Sequence, residues 1–90
     1  MHVQIVNNLV ASGKKTDADE TDRTITTNGF TFLRLDCVDA ANEMTFAIDE
    51  DISDASNPIY VKNGYVLELN VAGNVLHYSG SGTFRYTMTV

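Results

Sequence analysis

The sequence predicts an all-β fold: a small antiparallel β-sandwich or jelly roll of seven to eight short strands, in one domain spanning residues 1–90. Three observations predict it. Val, Ile and Thr supply 24 of the 90 residues while Lys appears three times and Gln once, a balance suited to pleated, half-buried surfaces. Apolar side chains recur at every second position in several short runs, the period of a strand with one face buried. Eight Asn and six Gly fall mostly between those runs, where turns need them.

Taken in order, Val3 and Ile5 open a first strand that runs toward Val10, with Val6 and Asn7-Asn8 interrupting its alternation. Residues 11–24 carry no apolar pattern and read as a long exposed loop. A strand over Thr24 to Thr27 follows, then a turn at Asn28-Gly29. Phe30 and Phe32 share one face and Leu33, Leu35 and Cys37 the other. That phase change implies a bulge near Phe32 or a strand covered on both sides. Over residues 37–48, Cys37, Ala41, Met44 and Ile48 fit a helical stripe, whereas Met44, Phe46 and Ile48 fit a strand. The β-branched and aromatic content of Thr45 to Ile48 favours turn plus strand. A second loop runs from Asp49 to Pro58, placing Pro58 at a strand start or edge.

The C-terminal third has the clearest pattern. Ile59 to Val61, Asn63-Gly64 and Tyr65 to Val71 read as strand, tight turn and strand, since Asn-Gly suits the positive φ of a type I′ hairpin turn. Tyr65, Leu67, Leu69 and Val71 then face the core. Gly73-Asn74 marks a second turn before a strand over Val75 to Tyr78. After Ser79-Gly80-Ser81-Gly82, the last strand sets Phe84, Tyr86, Met88 and Val90 against Thr83, Arg85, Thr87 and Thr89. Phe84 and Tyr86 are both expected in the core, and the end of the strand is expected to be paired or covered.

Composition narrows the function classes. A chain of this size buries only roughly 60–65% of its unfolded surface, so stability is marginal without further support. Cys37 is the only cysteine, which removes disulfides and thiolate zinc sites and leaves oligomerisation as the inexpensive stabiliser. Twelve acidic against six basic residues give a net charge of −6, which opposes nucleic-acid binding. No apolar run approaches the ~20 residues of a membrane helix, and Met1 to Val10 does not resemble a signal peptide.

Candidate chemistry is sparse. Residues 36–54 hold Asp36, Asp39, Glu43, Asp49, Glu50, Asp51 and Asp54 with no Lys or Arg, so a charge of −7 sits in this segment. Either Asp49, Glu50, Asp51 and Asp54 or Asp17, Asp19, Glu20 and Asp22 could offer oxygens to a cation. Neither run has the spacing of a calcium loop, and solvated loop carboxylates account for both, so no metal site is assigned. His77 alternates against Leu76 and Tyr78 and is expected to face solvent or an interface. Two catalytic arrangements can be considered: paired carboxylates for glycoside hydrolysis, which need a cleft that a sandwich of this size seldom has room for, and a Cys37–His77 nucleophile pair, but Cys37 closes an apolar strand and reads as a core thiol. No phosphate loop occurs. With no Trp, a sugar platform would have to come from tyrosines, and Tyr60 with Tyr78 is the candidate pair. No catalytic residue and no cofactor are expected, and the chain is not expected to be an enzyme.

The stretch GYVLELNVAGNVLHYSGSGTFRYTMTV, residues 64–90, with its tight turns, glycine link and Thr-rich last strand, resembles the small β-sandwich virion proteins of tailed phages, capsid cement (decoration) proteins being the nearest kind. The resemblance covers about a third of the chain and carries no functional residue with it. It implies a structural virion protein on the capsid exterior, made in the host cytoplasm. Such a protein is a homo-oligomer, most often a trimer, that clamps neighbouring major capsid protein subunits. The alternative is a carbohydrate- or receptor-binding module of a phage tail fibre.

Overall fold

The computed structural model describes residues 8–17, 23–40 and 43–90. They form eight strands: β1 (Leu9–Asp17), β2 (Arg23–Phe30), β3 (Phe32–Ala40), β4 (Met44–Ile48), β5 (Ile59–Val61), β6 (Val66–Leu69), β7 (Gly73–Ser79) and β8 (Gly82–Thr89). A single 3-10 turn at Ile52–Asp54 interrupts the connection between β4 and β5. One sheet has the order β1-β8-β3-β6 and the other β2-β7-β4-β5, every ladder being antiparallel. No helix among the described residues is long and apolar enough to cross a membrane.

The strand order has a simple origin. β4 pairs with β5, β3 with β6, β2 with β7 and β1 with β8, so the chain doubles back at residues 49–58 into one long ribbon of strand pairs. Rolling that ribbon brings β8 against β3 and β7 against β4, which closes two stacked sheets. This is the jelly roll. The ends of the ribbon meet: Val90 N–H donates to the Asn8 carbonyl at 3.0 Å, and Asn8 Nδ2 donates to the Val90 carbonyl at 2.7 Å.

Strand alternation fills the space between the sheets. Leu33, Leu35 and Cys37 from β3 and Phe84 and Met88 from β8 meet Met44 and Phe46 from β4 and Leu76 and Tyr78 from β7, all buried. Phe84 joins the layers, its ring centroid 5.0 Å from Phe46 and 4.9 Å from Tyr78, both edge-on. Burying each such side chain stabilises the fold by about 1.5–3 kcal/mol.

Several expectations are corrected. Neither C-terminal turn makes a hairpin. β5 and β6 lie in different sheets, as do β6 and β7, so the turns at 62–65 and 70–72 carry the chain across the sandwich and Gly73 already opens β7. At the first of these, Tyr65 N–H donates to the Lys62 carbonyl at 3.0 Å, and φ is positive at Gly64 (84°) but not at Asn63. That is a type II turn, whose twist suits a crossing rather than a two-residue hairpin. The phase change at Phe32 likewise marks a change of sheet, because Phe30 ends β2 and Phe32 starts β3. The β2 irregularity lies earlier, between Thr26 and Phe30.

Residues 11–17 belong to β1 rather than to a loop. This strand escapes an apolar pattern because the side facing Met88, Tyr86 and Phe84 offers no large apolar residue: Ala11 pairs with Met88, Gly13 lies under the Tyr86 ring, whose hydroxyl would stand 3.0 Å from a Cβ there, and Lys15 pairs with Phe84. The expected start of a strand at Val3 and Ile5, and the rest of the loop over 18–22, lie outside the described residues. β4 follows the turn-plus-strand expectation, and Pro58 directly precedes the edge strand β5.

Candidate functional site

The jelly roll distributes the candidate residues over different layers. Cys37 points inward from β3 and is 1% exposed; burial, reinforced by Asp36, pushes its thiol up in spite of a backbone hydrogen bond with Met44. His77 lies in the other sheet, between Leu76 and Tyr78, which both point to the core, and so faces the outside. The two sheets' opposite faces separate the pair, and no Cys–His nucleophile forms.

The tyrosines are also redistributed. Tyr78 is 7% exposed and sits in the core, whereas Tyr60 is 58% exposed on the outside of the same sheet, so the proposed sugar platform does not assemble. Tyr65, expected inside, is 65% exposed because it occupies the turn before β6. Tyr86 does face inward but is only half-buried, at the thin edge where it covers Gly13.

The acidic segment splits by role. Asp36 lies on the outer face of β3, 4.0 Å from Arg34. Asp49, at φ 60°, turns its carboxylate back onto β7, where Oδ1 accepts from the N–H groups of Asn74 at 3.0 Å and Val75 at 2.8 Å. Glu50 Oε2 accepts from the Ser56 N–H at 3.2 Å, closing the base of the 49–58 connection. Asp51 Oδ1 is 3.5 Å from His77 Nδ1, while the 3-10 turn lies against β4 and β7 and leaves the outward-facing Ala47 fully buried. Among the described residues, no three His, Cys, Asp or Glu side chains converge as a metal site.

An open groove of about 470 Å³ separates this connection from the β6–β7 crossing, with Ile48, Ile59, Leu69 and Val71 as apolar lining and Glu50 and Asn70 at its polar rim. A second, of about 490 Å³, lies between Leu9 to Ala11 and Thr26 to Gly29. Both are open to solvent, and neither brings together a nucleophile and a base.

The outer face of β1-β8-β3-β6 carries a charge arrangement that the linear sequence hides. Across its ladders Lys14 stands opposite Arg85, Arg85 opposite Asp36, and Arg34 opposite Glu68. Three of the chain's six Lys and Arg residues thus gather on one face, next to the exposed Val66. The opposite side of the sandwich presents the acidic connection 49–54. Sequence reasoning found the acidic half because its residues are contiguous, and missed the basic half because strand pairing alone assembles it.

Against protein families, curated proteins and solved structures, the chain matches none.

Proposed function

We propose that this protein is a non-enzymatic structural component of a virion, most closely a capsid cement or decoration protein that oligomerises on the capsid exterior and clamps neighbouring major capsid subunits. The observation that carries the reading is the jelly-roll strand order, an architecture used repeatedly for coat proteins, joined to the phage-like character of residues 64–90. This is an argument by architectural analogy. It is supported by surfaces suited to docking: Tyr65 and Val66 stand exposed beside the charged outer face of β3 and β6, a mixture of aromatic, aliphatic and arginine side chains typical of protein contacts. The tail-fibre alternative loses the paired tyrosines that motivated it. Light scattering on the purified chain, together with binding to shells assembled without it, tests the proposal: an oligomer that saturates such shells is expected, and a chain with no shell affinity overturns it.

A further inference from the structure

Cross-strand neighbours of like charge destabilise a sheet, yet β1 and β8 set Lys14 directly opposite Arg85. Asp36 is the one carboxylate beside them in the ladder, opposite Arg85, and it also lies 4.0 Å from Arg34. Glu68 stands opposite Arg34, so two carboxylates meet three cations on this face and Lys14, on the edge strand, has only Arg85 opposite it; the face keeps one excess positive charge on a chain whose net charge is −6. A local rule broken on an exposed face is a mark of a surface kept for something other than stability.

The outside of the other sheet carries the complement. The connection 49–58 is a preformed knob: Asp54 N–H donates to the Asp51 carbonyl at 3.0 Å, Ala55 N–H to the Ile52 carbonyl at 3.4 Å, and Glu50 closes its base on Ser56. Asp49 and Glu50 are used in holding that shape, whereas Asp54 is exposed and Asp51, although 3.5 Å from His77 Nδ1, keeps a largely exposed side chain, three residues away on one turn. Asp51 and Asp54 are the two ends of a hydrogen-bonded turn, so their Cα atoms lie within about 7 Å of each other, comparable to the roughly 4.5–5.5 Å between paired residues on adjacent strands.

We infer that Lys14 and Arg85 on the outer face of β1-β8-β3-β6 are a docking site for the Asp51–Asp54 turn of a second copy of this chain. The two surfaces lie on opposite sides of the sandwich, so the contact is heterologous: each copy offers its turn to one neighbour and its basic face to another, and a closing rotation gives a ring. Because the knob is already folded, docking costs little ordering entropy. The inference deepens the oligomer in the proposed function and rests on it only there, since self-docking needs no shell.

The experiment is a charge swap followed by sedimentation velocity at low and high salt. The wild-type chain is expected to associate at low salt and to dissociate as salt screens the contact. K14E/R85E and D51K/D54K, each confirmed as folded by circular dichroism, are expected to self-associate at least about tenfold more weakly. Mixed in equal amounts they should associate again, because the reversed face of one variant now matches the reversed turn of the other, while the unreversed turn of the first still matches the unreversed face of the second. K14Q/R85Q, which introduces no repulsion into the sheet, should show the same weakening if the reversed face fails to fold. A wild type that stays monomeric at low salt, a D51K/D54K chain that assembles like wild type, or a mixture without recovery overturns the inference. Shell binding measured on the same samples separates the two proposals: shells decorated by a monomer sink self-docking alone, and self-docking without shell affinity sinks the cement reading alone.

Discussion

Asp49 and Val75 are joined twice, the Asp49 N–H donating to the Val75 carbonyl at 2.9 Å and the Val75 N–H donating to Asp49 Oδ1 at 2.8 Å. The same oxygen takes the Asn74 N–H, so one side chain closes the end of β7 where β4 leaves the sheet. It does so from a left-handed backbone, which Asp, Asn and Gly tolerate better than other residues. Asp49→Ala is expected to lose both acceptor bonds and add backbone strain, about 2 kcal/mol in all at this exposed position. Asp49→Asn keeps an acceptor and the backbone preference, so it should lose less than half as much. Urea unfolding of the two variants checks the order; equal losses would show that neither the carbonyl-type oxygen nor the backbone conformation matters.

Gly73 is required by space. A Cβ built there collides with Ile48 Cγ2 and stands 2.9 Å from Phe30 Cζ, both side chains of flanking strands. Gly73→Ala should cost about 1–3 kcal/mol through overpacking. Ile48→Leu removes the Cγ2 methyl, so the double variant should recover part of that loss. A double-mutant cycle measures the coupling, and additive effects would place the clash elsewhere.

Phe84 and Tyr86 alternate on one strand and face the same way, but their environments differ. Phe84 is fully buried between Phe46 and Tyr78, whereas Tyr86 is half-buried, tilted 6.1 Å from Phe84 over the glycine of an edge strand. Phe84→Ala is expected to cost about 3–5 kcal/mol, enough to unfold much of a population of this size of domain. Tyr86→Ala should cost clearly less, about 1–3 kcal/mol, because part of its ring is already in water. Thermal melts with a large shift for Tyr86 and a small one for Phe84 would reverse the assignment.

Legibility in the sequence followed side-chain size. β3 and β8 announce themselves because Leu33, Leu35 and Cys37, and Phe84 and Met88, are large or fully apolar at every second position. β1 does not, since Ala11 and Gly13 leave room for the neighbouring strand's Met88 and Tyr86 rather than filling it themselves. Sheet membership is harder still: a glycine turn such as Asn63-Gly64 suits a hairpin and a crossing alike, the crossing at 70–72 contains no glycine, and both kinds of connection preserve the period of two. Only the φ values around Asn63-Gly64 and the pairing partners distinguish them. The same limit hid the charged face, because Lys14, Arg34 and Arg85 lie far apart in the chain and become neighbours only through the β1–β8 and β8–β3 ladders.

Cys37 provides a pH test of the core. Its thiol is buried and held above the ordinary value of 9.0, chiefly by desolvation. Below that value both folded and unfolded chains keep the proton, and the residue adds no pH dependence. Above it the unfolded chain ionises first while the folded chain still holds the proton, so stability falls as pH rises until the folded thiol also ionises. The difference between wild type and Cys37→Ala in urea midpoint should therefore be constant below pH 9.0 and should move against wild type above it. Comparing the two chains cancels the titration of tyrosines and lysines in the same range. Iodoacetamide supplies the companion measurement: Cys37 should react slowly in the folded protein and rapidly in denaturant, since the reactive species is the thiolate and the core disfavours both its charge and its access. Fast labelling of the folded chain at neutral pH would mean that β3 opens locally, and the pH difference between wild type and variant would then vanish with it.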